Sequence, residues 1–396
     1  MIAGLMHGSN ARNIHKIQAL LDGMSQRASQ SNKIISLNST SLNEWRKKVA
    51  DVNPTGVIIF DEKVPTATIH RNDSNLADAG ISDNLMGNFN KRFEDIDKDG
   101  EFEIEDIPEE YSQDAWVCRL TPHSCAYSGG GWLRWWYYLK GCVNGIGPPR
   151  SYDYMLDYWK KKLDRNTVNP LSSFIATSDY SGMDEVNKKG FPLHFPSLRA
   201  DNVFDKILNI GSEAYYVEET SPMGSSGMDK LWHINSLGTA WHAAHSGAVQ
   251  LGDFRYDDAY KNLKLAKGPT LLITFACSVG EWSTSENHNI IANIFNSREC
   301  NNIKCIYSSW IVQMGAGALV HMNELGEWCH QGEGKCFFEF MKDHKGKPIG
   351  LAHRDWLNLS FKHYIAKDKL YPGEDHKAQI LQNLCINAIG DATTLL

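Results

Sequence analysis

The chain has 396 residues, of which 42% are hydrophobic, 22% charged and 11% aromatic. This composition is typical of a globular protein and excludes a disordered, collagen-like or coiled-coil chain, and at about 150 residues per domain the length predicts two or three domains. With 40 basic and 47 acidic residues, the net charge of −7 argues against nucleic acid as a partner, because phosphate binding needs clustered cations.

The apolar segments, the N-terminal residues and the cysteines together predict a cytoplasmic protein with no membrane partner. The longest apolar stretches, 270–279 and 310–322, are too short or too interrupted to span a bilayer. The first residues lack a basic region followed by an apolar one, so no signal peptide is predicted; a sequence trimmed at its N-terminus would look the same, and a secreted protein is the alternative. The nine cysteines are an odd number, so at least one is unpaired within the chain, and we expect most to be reduced.

The first half of the chain alternates helices and strands. Apolar residues at helical spacing predict helices over 13–30 and 42–52. Short apolar runs predict strands over 33–37 and 57–60, and the second reads as a buried parallel strand that ends at Asp61. A loop-rich region follows, with a further strand predicted at 115–120.

The second half repeats this α/β alternation after a linking helix predicted over 151–165. The predicted strands are 172–178, 213–217, 239–245, 270–277 and 306–314, and the predicted helices are 201–210, 287–296, 336–343 and 351–365. The sequence therefore predicts two α/β subdomains, 1–166 and 167–396.

Two of these strands end in residues that suit nucleophilic catalysis. The apolar run 270–277 ends in Cys277, and the turn after such a strand can aim backbone N–H groups at a developing oxyanion. A cysteine nucleophile needs a base, and the strand 239–245 ends in His245. If the two strands are parallel neighbours, His245 and Cys277 emerge at the same sheet edge and can form a Cys–His dyad.

Other interpretations of these residues stay open. A cysteine at a strand end is more often a small buried hydrophobe than a nucleophile. His242 and His233 compete with His245 as the base, although His242 faces the opposite side of the sheet and His233 precedes the strand.

The order of motifs resembles the caspase-like cysteine peptidases, specifically the gingipain type. The strand with His245, the segment after it and the strand ending in Cys277 look like the catalytic half of that family. Four further segments, 53–65, 82–84 with 113–122, 346–352 and 383–393, resemble other motifs of the family in the right order, so the resemblance covers about residues 50–396.

The resemblance implies an α/β fold with two adjacent subdomains, each with a mostly parallel sheet flanked by helices. It implies that Cys277 is the nucleophile, that His245 is the general base, and that the backbone amides of Gly247 and Cys277 form the oxyanion hole. Asp179, which closes the strand 172–178, matches the acidic residue that orients the histidine; Asp184 and Glu185 are rivals, and a solvated turn is the alternative.

The chain departs from the family pattern at three positions. Ser246 separates His245 from Gly247, whereas the family has histidine and glycine adjacent. Ala392 stands where proline is usual, and Cys118 where glycine is usual.

A second group of residues, over 95–106, has the spacing of a calcium-binding loop. Carboxylates at loop positions 1, 3, 5 and 12 and a glycine at position 6 suit an oxygen cage for Ca²⁺. The predicted ligands are Asp95, Asp97, Asp99, Glu101 through its backbone carbonyl, and Asp106. Pro108 argues against the exiting helix of an EF-hand, and the alternative is an acidic surface turn that binds nothing.

Two further features, a group of tryptophans and two cysteine pairs, do not by themselves define a functional site. Trp132, Trp135 and Trp136 lie at helical spacing in 129–138, which favours burial, although an exposed patch could bind carbohydrate, peptide or protein. The cysteine pairs 300/305 and 329/336 lack the short paired spacings of zinc sites, so no zinc is predicted there.

The sequence therefore favours a cysteine endopeptidase that hydrolyses peptide bonds through an acyl-enzyme intermediate. Its expected partners are a peptide or protein substrate and a regulatory protein, and its expected cofactor is a structural Ca²⁺. The alternative is a catalytically degenerate peptidase fold that serves as a calcium-stabilised binding or scaffold module. A calcium-dependent carbohydrate-binding protein built on the tryptophans is the weakest interpretation.

Overall fold

A computed structural model of the chain describes residues 1–70, 80–120, 152–178, 213–216, 237–244, 246–247, 250–251, 254–255, 268–276, 290–296, 302–309, 337–370, 377, 380–381 and 383–396. Of these residues, 1–120 and 309–396 form one compact unit, and 152–308 form a second. The boundary at 166 stays a prediction. In the described part of the chain, no helix is both long and apolar enough to cross a membrane.

The described residues form the following helices and strands. The helices are α1 Ile14–Arg27, α2 Leu42–Val52, α3 Tyr152–Leu163, α4 Ile290–Asn296, α5 Phe337–Asp343 and α6 Ile349–Leu370. The strands are β1 Ile2–His7, β2 Asn32–Leu37, β3 Gly56–Ile59, β4 Ala67–Ile69, β5 Gly80–Ser82, β6 Glu101–Phe102, β7 Trp116–Arg119, β8 Ser173–Ser178, β9 Glu213–Tyr216, β10 Leu237–Ala244, β11 Ser246–Gly247, β12 Gln250–Leu251, β13 Phe254–Arg255, β14 Pro269–Ala276, β15 Cys305–Ser309 and β16 Ile386–Gly390.

The first unit is built on a parallel sheet with strand order β2-β1-β3-β7-β16. Side chains alternate between the two faces of a strand, so neighbouring residues pack on different helices. Ala3 and Leu5 lie in a buried cluster with Trp45 and Val49 of α2. Gly4, on the opposite face, lies so close to Leu21 of α1 that a Cβ added there would be 2.8 Å from its Cδ2 atom. Helices therefore cover both faces of this sheet.

Trp116 shows the same close packing further along the sheet. It is 1% exposed, and a Cβ added at Gly56 or at Gly350 would come within 2.1 Å or 2.6 Å of its indole ring. Gly350 lies in the first turn of α6, so the absence of a side chain there lets this helix settle directly on β7.

The sequence contains the capping residues that begin and end α2. The hydroxyl of Ser41 accepts a hydrogen bond from the backbone N–H of Glu44 at 3.4 Å, which is the serine half of a capping box. The helix ends at Asn53, which adopts the left-handed conformation with a φ of 49° that asparagine tolerates. The predicted and observed helices accordingly coincide over 42–52.

The second unit has a parallel sheet with the order β9-β8-β10-β14-β15. Two of its helices are joined by polar contacts: the Nε1 atom of Trp159 in α3 donates to Oδ1 of Asn296 in α4 at 2.8 Å, and Nζ of Lys162 lies 4.3 Å from the centre of the Phe295 ring.

The parallel strands of the two units follow the same order. Numbered in chain order within each unit, they run 2-1-3-4-5 from one strand to the next. The order reverses between the first and third strands, at β1 and β3 in the first unit and at β8 and β10 in the second. This fold confirms the predicted mixed α/β class with mostly parallel strands flanked by helices. The described residues also form two small three-stranded sheets, β5-β4-β6 and β11-β12-β13.

Candidate functional site

The candidate catalytic edge is formed by three adjacent parallel strands of the second unit. Ala244, the last residue of β10, is the register partner of Ala276, the last residue of β14. On the other side of β10, Ala243 is the register partner of Ser178, the last residue of β8. The three strands therefore finish at the same edge, within one residue of each other.

This edge is also a point where the strand order reverses, between β8 and β10. In open α/β sheets, ligands bind in the crevice that such a reversal opens at the carboxyl ends of the strands. The residues that follow the three strand ends in the sequence are Asp179 after β8, His245 after β10 and Cys277 after β14.

These three side chains lie outside the described residues, as do His233, Asp184 and Glu185. His242 is described as part of β10, where its backbone pairs with Thr274 of β14 and Thr177 of β8. Ser246 and Gly247 form β11, whose partners in an antiparallel ladder are Leu251 and Gln250 of β12. The extra residue before Gly247 is thus part of a small hairpin sheet that starts one residue after His245.

The corresponding edge of the first unit is closed by a buried ion pair. Arg119, the last residue of β7, is fully buried and donates from Nε and Nη2 to the two carboxylate oxygens of Asp83 at 2.8 Å and 2.6 Å. Its Nη1 and Nη2 atoms also donate to the backbone carbonyls of Asp61 and Val64 at 2.9 Å and 3.2 Å. The guanidinium therefore ties together the segments that follow β3 and β5.

Asp61, which follows β3, completes this network. Its Oδ2 atom accepts the backbone N–H of His7 at 3.1 Å and the amide of Asn10 at 2.5 Å, and its Oδ1 atom accepts the N–H of Lys63 at 3.0 Å. Asp61, at which the sequence predicts the end of a buried strand, is thus 1% exposed and fully engaged in hydrogen bonds.

Two asparagines connect this network to the segment 384–387, at the start of β16. The amide of Asn84 donates to the carbonyls of Leu384 and Ile386, both at 2.8 Å, and Oδ1 of Asn387 accepts the N–H of Asp83 at 2.8 Å. Arg27 also pairs with Asp391 at 2.6 Å, with the Asp391 side chain 1% exposed. These polar contacts join segments of the first unit that are far apart in the sequence.

Two of the three departures from the family pattern contact each other in this unit. Cys118 and Ala392 are both fully buried. The Cys118 thiol is hydrogen-bonded to the backbone of Ala392, and burial raises the pKa of the thiol well above its ordinary value. The carbonyl of Ala392 in turn accepts the N–H of Gly350 at 3.0 Å. These two substitutions belong to the core beneath α6.

The acidic loop 95–106 brings three of its predicted ligands together. The carboxylates of Asp95, Asp97 and Asp99 have oxygens within 4.8 Å of one another. The loop turns at Gly100, directly after Asp99, where φ is 99°, and the N–H of Gly100 donates to Oδ2 of Asp95 at 3.0 Å. Glu101 follows in β6, and in the described segment after it no exiting helix forms.

Asp106 has a different environment from the other acidic residues of the loop. It is 4% exposed, and its two carboxylate oxygens accept the backbone N–H groups of Ile96 at 2.8 Å and Glu103 at 3.0 Å. It therefore clamps the start of the loop to its end.

Three side chains approach one another beside this loop, and of these residues only Glu101, through its backbone carbonyl, had a role in the sequence-based prediction. His70, Glu101 and Glu103 place ligand atoms within 4.8 Å of one another, and no sequence spacing links His70 to the two glutamates. The tryptophans of 129–138 and the cysteines at 300, 329 and 336 lie outside the described residues.

Comparison with known proteins gives one similarity, and it is structural. The chain is similar to the complex of Porphyromonas gingivalis RgpB pro- and mature domains, with a TM-score of 0.54 and 10% sequence identity, over 100% of this chain and 79% of that one. No family model and no curated protein matches the sequence. At this identity the likeness shows the fold, which is a gingipain-like, caspase-type α/β fold.

Proposed function

We propose that the protein is a cysteine endopeptidase whose catalytic groups follow the ends of β8, β10 and β14. The observation that supports this best is the register of Ala244 with Ala276, because it makes His245 and Cys277 the next residues on adjacent parallel strands. Neighbouring strands lie about 4.8 Å apart, so side chains on successive strand ends can reach the roughly 3 Å of a nucleophile–base hydrogen bond.

The proposed reaction proceeds in two halves. His245 takes the thiol proton, and the Cys277 sulfur attacks the peptide carbonyl carbon. The resulting oxyanion accepts hydrogen bonds from the backbone N–H groups of Gly247 and Cys277. His245 then gives the proton to the leaving amine as the C–N bond breaks, which leaves a thioester. Water, deprotonated by His245, cleaves the thioester to release the acid and the thiol, while Asp179 holds the imidazole in orientation.

The first unit supports this assignment by contrast. It has the same strand order, but the residues at its corresponding edge are Arg119, Asp83 and Asp61 in a closed hydrogen-bonded network, followed after β7 by Leu120 in place of a nucleophile. We therefore assign catalysis to the second unit and a structural role to the first.

The alternative, a catalytically degenerate fold that acts as a binding or scaffold module, rests on one observation. Ser246 separates His245 from Gly247, and both residues of 246–247 lie in the hairpin strand β11. A Gly247 amide held in that ladder would be lost to the oxyanion hole.

Cleavage of a peptide library by the full chain tests the proposed function. Cys277→Ala and His245→Ala are expected to lower the rate of cleavage, measured by mass spectrometry of the products, by roughly a thousandfold or more. Cys385→Ala is a matched control, because Cys385 is a buried cysteine of the first unit and its replacement leaves the proposed dyad intact. Cleavage by Cys277→Ala at the wild-type rate would refute the proposal.

We also propose that the loop 95–106 binds Ca²⁺ in a structural role. Asp95, Asp97 and Asp99 would supply carboxylate oxygens, and Glu101 its backbone carbonyl; Asp106 would act as the last ligand through lone pairs that its two N–H contacts leave open. The ion would offset the repulsion among these carboxylates and fix the segment that leads to β7.

The complex of pro- and mature domains named above also suggests the kind of partner to expect. We propose that this chain, beyond its peptide or protein substrate, meets a regulatory protein. Pull-downs with the wild type and with the catalytically inactive Cys277→Ala variant would separate the two kinds of partner. Substrates should be retained by the inactive variant alone, and a regulatory protein by both.

A further inference from the structure

His70, Glu101 and Glu103 are brought together by the pairing of two strands. β4 and β6 run parallel with Thr68 opposite Glu101 and Ile69 opposite Phe102, so His70 and Glu103 are the next residues along. The backbone N–H of His70 donates to the carbonyl of Phe102 at 2.8 Å, which fixes this register one residue beyond β4. Alternation along β6 places Glu101 and Glu103 on the same face.

The distances between the three side chains suit a shared cation better than a direct contact. The ligand atoms lie within 4.8 Å of one another, and Nε2 of His70 is 3.9 Å from Oε2 of Glu101. That separation is too long for a hydrogen bond. Two ligands on a tetrahedral zinc ion, with bonds of about 2.0–2.1 Å, are roughly 3.3 Å apart, so a small side-chain movement would bring both into contact with one ion.

The site is accessible, and its charge favours a cation. The side chains of His70 and Glu101 are 31% and 40% exposed, which leaves room for an ion and a water molecule. Two of the three ligands are carboxylates, and the neighbouring segment 95–106 carries further acidic side chains, so the charge of the surroundings favours a cation.

We propose that His70, Glu101 and Glu103 form a zinc site, with one position left for water. An imidazole nitrogen with two carboxylates is a ligand set for Zn²⁺, whereas Ca²⁺ takes oxygen ligands throughout, so this site is chemically distinct from the loop of Asp95, Asp97 and Asp99. Three protein ligands and an open position define a site that can hold and polarise water. The site lies in the first unit, and the proposal does not depend on the proposed peptidase activity.

Cobalt is the probe for this site, because Co²⁺ takes the place of Zn²⁺ and absorbs visible light. The full chain is first treated with a chelator and then kept in excess Ca²⁺, so that the acidic loop 95–106 does not compete. We expect one Co²⁺ to bind with visible bands of tetrahedral or five-coordinate character, without the near-ultraviolet bands of cobalt–thiolate bonds, and Zn²⁺ to displace it.

Substitutions then assign the ligands. His70→Ala and Glu103→Gln are each expected to weaken Co²⁺ binding by at least about tenfold, since loss of even an outer-shell partner of a metal costs that much. Glu105→Gln is the matched control: it removes the same charge two residues away, from an exposed side chain, and is expected to weaken binding by less than about fivefold. His70→Gln provides a second variant with a polar side chain of similar reach.

Three results would overturn the proposal. The first is a wild-type chain that binds no Co²⁺ under these conditions. The second is Co²⁺ binding marked by thiolate bands and unchanged in both His70 variants, which would place the metal on cysteines. The third is an equal loss in Glu103→Gln and Glu105→Gln, which would reduce the effect to general charge.

Discussion

Ala244 and Ala276 are register partners at the ends of two adjacent parallel strands, β10 and β14. Each is followed in the sequence by a residue that suits catalysis, His245 in one case and Cys277 in the other. A shift of the register by one residue would carry one of these side chains to the opposite face of the sheet. The pairing of two alanines thus decides whether the proposed dyad can form.

Thiol labelling tests whether Cys277 is an activated nucleophile. Burial raises the pKa of the Cys118 and Cys385 thiols well above the ordinary range, so both should remain protonated and unreactive in the folded protein. We expect iodoacetamide at neutral pH to modify Cys277 first, with peptide mapping by mass spectrometry as the readout. His245→Ala should slow this reaction. Labelling of Cys118 or Cys385 as fast as Cys277 would contradict the prediction and favour the scaffold alternative.

Calcium should stabilise the chain through the loop 95–106. At a calcium concentration a hundredfold above the Kd, binding contributes about 2.7 kcal/mol to the free energy of unfolding. Asp97→Asn should remove most of this gain, and an asparagine oxygen can still accept the N–H of Asp99 that Asp97 accepts at 3.3 Å, so the loop itself is kept. Thermal midpoints in calcium and in chelator measure the difference. Asp51→Asn, an exposed carboxylate in α2, is the control and should respond to calcium as the wild type does.

Removal of Arg119 should destabilise the first unit strongly. Arg119→Met leaves the Asp83 carboxylate, only 3% exposed, without its partner, and breaking a buried pair in this way costs about 3–5 kcal/mol. The double variant Arg119→Met/Asp83→Leu should recover part of that loss, because it leaves no uncompensated charge. Urea denaturation of Arg119→Met, of Asp83→Leu and of the double variant gives the comparison. If the double variant is as unstable as the sum of the two single ones, the pair is not coupled.

His353 should make stability depend on pH in the acid range. It packs in α6 against Trp356 and Phe337, and burial lowers the pKa of its imidazole to about 3. The unfolded chain takes up a proton near pH 6.5 while the folded chain does not, so stability falls as pH decreases from about 6.5 towards 3, by at most about 1.4 kcal/mol per pH unit.

The variant His353→Phe keeps an aromatic ring but cannot titrate, so its stability should change less over that pH interval. Urea midpoints at a series of pH values between 7 and 4 are the measurement. His15→Gln, at an exposed position of α1, should keep the wild-type slope. Parallel profiles for His353→Phe and the wild type would mean that His353 is protonated in the folded chain as well.

Elements with strong local signals were predicted closely from the sequence. The strands predicted at 239–245 and 270–277 are observed as β10 and β14, one or two residues earlier, because mostly apolar runs of this length are typical of buried parallel strands. The capped helix α2 was predicted at its observed bounds. In contrast, β1 and β16 were not predicted, since Gly4 and the buried Asn387 interrupt runs of only five or six residues.

What the sequence lacks is the identity of distant partners. Asn387 can lie inside a strand because its amide donates to the carbonyl of Ile81 and its oxygen accepts the N–H of Asp83, some three hundred residues earlier. The pairing of His70 with Glu103 and of Arg119 with Asp83 likewise depends on strand neighbours. The sequence indicates which residues could be reactive, whereas the register of the strands determines which of them can meet.

The first unit is discontinuous along the chain, and this has a consequence for its synthesis. Its sheet includes β7 at Trp116–Arg119 and β16 at Ile386–Gly390, with the whole second unit encoded between them. A ribosome adds about 5–20 residues per second, so on the order of 10–50 seconds pass between the synthesis of β7 and that of β16. The sheet of the first unit is therefore completed only after the second unit has been synthesised. During that interval the edge of β7 that later pairs with β16 is unpaired, and a chaperone could bind it.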